Sequence, residues 1–261
     1  ESSELIKYAA NAFLATKVTF VNEMAALCER VGADIGDVTY GMGLDDRIGS
    51  RFLRAGPGYG GSCFPKDTRA LARIGQEQSR PMQIVESVIK INEEIKYRMI
   101  DRIFEMLDDD LNGKTIAIFG VTFKPDTDDM RDAPALTIVP ALVGRGANVR
   151  VVDPQGEAEG AALLPGVAWF DDAYGAAIDA DLVVVLTEWD DFRRLDLSAI
   201  AGRMHTPKLA DLRNIYSSEQ AIQAGFNSYI SIGRTSVSSD DASTVEFPAG
   251  VIAGAQKGRA Q

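Results

Sequence analysis

From Ser3 to Val31 the apolar residues return every third or fourth position, the spacing of an α-helix with one buried face, and Val31-Gly32 closes the run with a C-terminal stop. A second helix is predicted from Asp34 to about Gly41. A long one is predicted from about Pro81 to Leu111, in which Ile84, Val88, Ile91, Ile95, Ile103 and Leu107 step by three, four or eight along one stripe. After Asn112-Gly113 the pattern changes. Lys114–Gly120, Asn148–Asp153, Asp181–Leu186 and Lys208–Asp211 read as short buried strands, separated by helical stretches near Ala133–Arg145, Asp172–Ile178 and Ser217–Ala224. Strands and helices in alternation predict a parallel, doubly wound sheet. The expected fold is therefore α/β: an all-helical block over 1–111, then a doubly wound parallel sheet over 112–234. The segment 235–261, rich in Ser, Asp, Ala and Gly, has no periodic core face and is read as a mobile tail.

At 261 residues and 46% hydrophobic content, the chain is long enough to bury a real core in two domains. No apolar run reaches membrane-spanning length and no charged-then-apolar leader is visible, so a cytoplasmic protein is expected. Lys plus Arg number 27 against 38 Asp plus Glu, a net charge of −11. This balance argues against nucleic acid or an anionic membrane as partner, and an anionic ligand must be held by a local cluster of cations. Two cysteines are too few for a disulfide framework. Cys28, among Ala and Leu on a helical pattern, reads as core. No metal site is indicated.

The chemistry concentrates in Gly56-Pro-Gly-Tyr-Gly-Gly-Ser-Cys63-Phe-Pro-Lys66-Asp67. Glycines let the backbone bend and approach a ligand, and Pro65 suits the first turn of a helix. Cys63 then lies at a helix N-terminus, where free N–H groups and Lys66 favour the thiolate. Asp67, four residues on, could order a water or hold a neighbouring group. The alternative is a surface loop with a small structural cysteine. Ligands of doubly wound sheets sit beyond the carboxyl ends of the strands, which directs attention to Phe123-Lys124 through Arg131 and to Arg213. Any one of these cations alone would read as a solvated surface charge. Asp153, at the end of a strand, invites comparison with an acid that binds an adenosine ribose, but without a glycine fingerprint it reads as structural.

The motifs Leu5-Ile-Lys7-Tyr-Ala-Ala-Asn11 and Asp46-Arg47-Ile-Gly-Ser-Arg-Phe52-Leu-Arg54-Ala-Gly, leading into the cysteine loop, resemble the UDP-glucose 6-dehydrogenases within the wider UDP-glucose/GDP-mannose dehydrogenase family. The resemblance runs from Glu1 to about Arg234. It implies a helical central domain that builds a homodimer, followed by a Rossmann-like domain that binds the UDP-sugar. Such enzymes open on a dinucleotide-binding domain with a Gly-x-Gly-x-x-Gly turn after a strand. No such turn after a strand occurs here, so the sequence is expected to start downstream of that domain.

The resemblance also implies site residues. Cys63 is the nucleophile, Lys7 the stabiliser of developing oxyanion charge with Asn11 as its polar companion, and Asp67 a helper in proton transfer and hydrolysis. Arg47, Phe52, Leu53, Arg54, Tyr59 and Gly60 surround uracil, ribose and sugar, with Arg47 reaching in from the neighbouring subunit. Phe123, Lys124 and Arg213 hold the UDP-sugar, while Cys63, Lys66 and Arg131 face the cofactor, NAD. His205 matches no functional position. The implied reaction is a double oxidation of UDP-glucose to UDP-glucuronate through a thiohemiacetal and a thioester on Cys63. Two alternatives stay open: a GDP-mannose or UDP-N-acetylhexosamine dehydrogenase, or a module that binds UDP-sugar or dimerises without catalysis.

Overall fold

The computed structural model describes residues 2–239. Its N-terminal part is helical, with α1 (Ser2–Val31), α2 (Ile35–Gly43), α3 (Phe64–Glu77) and α4 (Gln83–Met106). On α1 the buried positions are Ala12, Ala15, Thr19, Val21, Asn22, Ala25 and Cys28, mostly small side chains that let α3 and α4 approach closely. Gly32 leaves the helix at φ +74°, and Asp34 caps α2 by accepting the Gly36 N–H at 2.6 Å. Helix α4 is shorter than its periodicity predicts. It stops at Met106 because Asp108 and Asp109 take left-handed backbone, φ 56° and 59°, although Leu107 and Leu111 stay buried beyond it. Its buried face runs through Val85, Val88, Asn92, Ile95, Lys96, Met99 and Ile103. Ile84 of the expected stripe is 70% exposed, because the buried face enters the helix through Val85, and Asn92 and Lys96 hold positions on it that an apolar pattern cannot register.

The C-terminal part alternates β1 (Thr115–Phe119), α5 (Ala135–Gly144), β2 (Asn148–Val152), α6 (Glu157–Leu163), β3 (Ala168–Trp169), α7 (Ala173–Ala176), β4 (Leu182–Val185), α8 (Asp190–Arg193), α9 (Leu197–Ala201), β5 (Lys208–Asp211), α10 (Ser218–Gln223), β6 (Ser228–Ser231) and β7 (Val237–Ser238). The strands form one sheet in the order β3-β2-β1-β4-β5-β6-β7, parallel throughout except for the antiparallel pair β6–β7. Strands β3 and β6 extend the sheet beyond the four expected from the sequence. Strand β7 lies inside the segment read as a tail, where Val237 pairs with Tyr229. The rest of that segment, 240–261, is outside the described residues.

Successive residues of a strand face opposite sides of a sheet. Ile116, Ile118, Val149, Val151, Leu182 and Val184 pack in one cluster with Met99 and Ile103 of α4 and Ile138 and Leu142 of α5. Ala117, Phe119, Val183, Val185 and Leu209 pack in another with Ala176, Phe192, Ile200 and Ala221. Helix α4 thus belongs to the core of both parts. Glu29 of α1 reinforces the junction by pairing with Arg98 and Arg102 and accepting the Gly233 N–H. The strand order reverses between β1 and β4, so a crevice opens beyond their carboxyl ends. No helix of the described residues is long and apolar enough to cross a membrane.

Candidate active site

The loop from Leu44 to Cys63 crosses between the helices and the sheet, and two buried asparagines fix it. Asn22 accepts the Gly56 N–H at 2.8 Å. Asn92 accepts the Tyr59 N–H at 2.8 Å and donates to the Tyr59 carbonyl at 3.1 Å. Downstream, the Gly61 N–H donates to the Arg131 carbonyl at 2.7 Å. Gly61 has φ +81°, and a Cβ there would lie 2.7 Å from the Phe123 ring; one on Gly60 would lie 2.5 Å from the Asp132 carbonyl oxygen. Glycine is needed at both positions because the cysteine loop is wedged against the loop that follows β1.

Cys63 is the exposed N-cap of α3, with Pro65 in the first turn and Ser62 Oγ 3.7 Å from its sulfur. One turn on, Asp67 is fully buried and its N–H donates to the Cys63 carbonyl at 2.9 Å. Asn11 Nδ2 donates to Asp67 Oδ2 at 2.6 Å, and Lys7 Nζ lies 3.9 Å from the same oxygen. Lys66 Nζ stands 3.7 Å from Asp67 Oδ1, which makes no hydrogen bond. The expected Lys7, Asn11 and Asp67 are therefore one cluster across the α1–α3 contact. A buried carboxylate between two ammonium groups keeps lone pairs on one oxygen that can accept a further hydrogen bond.

On one side of Cys63 a cleft of about 710 Å³ is lined by Phe52, Arg54, Tyr59, Gly60, Phe123, Lys124, Glu188 and Arg213. Its aromatic floor is ordered: Phe64 packs edge-on to Tyr59 with ring centres 5.8 Å apart, and tilted to Phe52 at 5.9 Å. Lys124 Nζ lies 5.4 Å from the centre of the Phe123 ring. Arg213 is held by the strand ends, donating from Nε to the Leu186 carbonyl at 2.7 Å and from Nη2 to that of Phe123 at 3.2 Å. Asp211 shapes the turn that carries it. The Asp211 carboxylate accepts the N–H groups of Arg213 at 3.1 Å and Tyr216 at 2.8 Å, and burial pushes its pKa up to about 6.

On the other side a cleft of about 870 Å³ is lined by Cys63, Lys66 and Arg131, together with Arg69, Lys96, Glu93 and Asp132. Arg131 pairs with Asp129 at 2.8 Å, and this bond holds the Asp129 carboxyl below the ordinary range. Arg69 pairs with Asp132 at 2.9 Å and so links α3 to the loop after β1. Ser62 and Cys63 line both clefts.

Two of the residues singled out in the sequence lie apart from this arrangement. Arg47 is exposed and turned to Asp45, with 2.5 Å between Nη2 and Oδ2, and does not line the cleft of its own chain. Leu53 is buried in the main core and is absent from the lining of the aromatic cleft, lining instead a neighbouring one that shares Arg54, Glu188 and Arg213. Asp153 is a staple, accepting the N–H groups of Val121, Thr122, Gln155 and Gly156. Cys28 is buried in the core, and burial raises its pKa. Asn22, Asn92 and Glu188 belong to the site without any motif to mark them. Asn92 could be found only as a polar residue interrupting an apolar helical face.

A helical unit joined to a doubly wound sheet is an architecture shared with solved nucleotide-sugar dehydrogenases. A UDP-glucose dehydrogenase from Pyrobaculum islandicum aligns with a TM-score of 0.79 at 33% identity, covering 88% of this chain and 51% of that one. An NDP-N-acetyl-D-galactosaminuronic acid dehydrogenase from Methanosarcina mazei Go1 aligns with a TM-score of 0.79 at 26% identity, covering 90% and 51%. Residues 1–94 match the family model for the UDP-glucose/GDP-mannose dehydrogenase family, central domain, and residues 117–218 match that for its UDP binding domain. The chain belongs to the UDP-glucose/GDP-mannose dehydrogenase family. It is 51% identical to a UDP-glucose 6-dehydrogenase of Rhizobium meliloti over 89% of its length and 53% of the relative's, and 44% identical to UDP-glucose 6-dehydrogenase TuaD of Bacillus subtilis over 95% and 54%. The chain spans about half the length of these curated relatives.

Proposed function

We infer that the chain is the substrate-binding and nucleophile-bearing part of a cytoplasmic UDP-glucose 6-dehydrogenase. The observation that carries this reading is the place of Cys63 in the lining of two unlike clefts. The aromatic cleft with Arg54, Lys124 and Arg213 suits a nucleoside diphosphate joined to a sugar, because it offers both ring faces and fixed cations. The opposite cleft carries Lys66, Arg69, Lys96 and Arg131, a local excess of positive charge in an acidic protein, and its donor set fits the anionic pyrophosphate of NAD. Lys66 and Arg131 are the residues that would hold that group. When bound, NAD supplies the hydride acceptor for both oxidations.

Within this reading Cys63 adds to the C6 aldehyde and forms the carbon–sulfur bond, which keeps the half-oxidised sugar in place. After the second oxidation the carbon is a thioester. Water opens it, releasing the carboxylate and returning the proton to sulfur. The Lys7–Asn11–Asp67 cluster would stabilise the oxyanion and handle the proton of the attacking water. Glucose is favoured over an N-acetylated sugar by the 51% identity to a UDP-glucose enzyme, against 26% to the N-acetylgalactosaminuronate one. A homodimer is supported by an apolar stripe on α1, where Ile6, Phe13, Phe20 and Leu27 repeat every seven residues and are all at least 48% exposed.

The test is Cys63→Ser in the complete enzyme. Formation of UDP-glucuronate should be abolished while UDP-glucose binding is kept, since only covalent capture is lost. Normal turnover in that variant would refute the assignment.

A further inference from the structure

We propose that Glu188 determines specificity by accepting a hydrogen bond from a hydroxyl of the nucleotide-sugar ligand, an inference that rests on the reading of the aromatic cleft given above. Among the described residues Glu188 is the only carboxylate lining that cleft, beside Arg51, Arg54, Lys124 and Arg213. Its Oε2 lies 3.2 Å from Arg213 Nε, the geometry of an ion pair. It is not the brace that orients Arg213. The Nε–H is already donated to the Leu186 carbonyl and Nη2 to that of Phe123, and the buried Oε2 of Glu188 has no hydrogen-bond partner among the described residues. A carboxylate offers about four lone-pair sites, so acceptor capacity remains beyond the contact with Arg213.

The backbone on either side aims this carboxylate. Thr187 donates from Oγ1 to the Thr122 carbonyl at 2.6 Å, and the buried Trp189 donates from Nε1 to Asp153 at 3.3 Å. Glu188 is therefore a fixed acceptor at the end of β4, in a cleft whose other charged side chains only donate. A diphosphate has no use for it. The ribose and the hexose do, because their hydroxyl protons need acceptors once water is displaced. A site built to bond a hydroxyl also discriminates strongly against ligands that lack one.

The experiment is calorimetric titration of the wild-type chain, Glu188→Ala and Glu188→Gln with three probes: UDP-glucose, uridine diphosphate and inorganic pyrophosphate. Glu188→Ala should weaken UDP-glucose by roughly tenfold to a hundredfold. Glu188→Gln, which retains one neutral acceptor and the shape of the side chain, should lose less. Pyrophosphate, with no hydroxyl on carbon to donate, should bind both variants as well as wild type or better, because a negative charge has left the site. Loss for uridine diphosphate as well would place the bond on the ribose; loss for UDP-glucose alone would place it on the hexose. A parallel loss for pyrophosphate would make Glu188 a mere support for Arg213 and overturn the proposal, as would unchanged UDP-glucose affinity in both variants. Wild-type chain that bound none of the probes would refute the reading of the cleft itself, and this inference with it.

Discussion

Asn92 holds both backbone polar groups of Tyr59, accepting its N–H at 2.8 Å and donating to its carbonyl at 3.1 Å. One side chain on α4 thereby fixes the loop that carries Cys63, and does so inside the core. Asn92→Leu would fill similar space but leave a buried N–H and carbonyl without partners, at about 1–3 kcal/mol each. We expect a loss of roughly 2–4 kcal/mol in denaturant unfolding, together with faster proteolysis within 56–63. A stability within 0.5 kcal/mol of wild type would show that the loop does not depend on this clamp.

Asp211 makes stability depend on pH. Its folded value, about 6, exceeds the ordinary carboxylate value of about 3.9, so between the two the folded chain keeps a proton that the unfolded chain has lost. The stabilisation from this site is complete below pH 4 and is lost as pH rises through 6. Asp211→Asn lowers stability overall, because one amide cannot accept on both sides. It should also remove a decline of roughly 3 kcal/mol between pH 4 and pH 7. Unfolding curves of both proteins across that range would check it; parallel curves would place the titration elsewhere.

The stripe on α1 predicts the assembly. Phe13→Glu together with Phe20→Glu introduces charge where two exposed rings, 66% and 48% accessible, would meet a second subunit. Burying each ring is worth about 2 kcal/mol, so the double variant should raise the dimer dissociation constant at least a hundredfold in sedimentation experiments. A wild-type chain that is monomeric at micromolar concentration, or a double variant that stays dimeric, would count against it.

The helical block and the parallel sheet were readable because α1 buries residues at helical spacing, while strands β1, β2, β4 and β5 are short and nearly continuously buried runs. Periodicity failed where burial is polar or brief. Asn92 and Lys96 sit on the inner face of α4, β3 is only two residues long, and β6 reads Ser-Tyr-Ile-Ser. The cysteine loop was legible because glycines, proline, thiol and charges crowd one short segment. Glu188 was not, since one acid after a strand resembles any surface residue until the fold places it beside Arg213. Arg47 shows the limit of a single chain, as its side chain turns to Asp45 and away from the cleft.

The central claim is that the Cys63 thiol faces a nucleotide-sugar held in the aromatic cleft. The most direct measurement is the rate at which iodoacetamide alkylates Cys63, followed by mass spectrometry with and without UDP-glucose. Buried Cys28 serves as an internal control that should remain unmodified in the folded chain. Saturating UDP-glucose should slow alkylation at least about tenfold, as expected when nine-tenths or more of the sites are occupied, and Lys124→Ala should need more ligand for the same protection. A Cys63 alkylation rate that is unchanged with the ligand demonstrably bound would contradict the account, because the sugar would then lie away from the thiol.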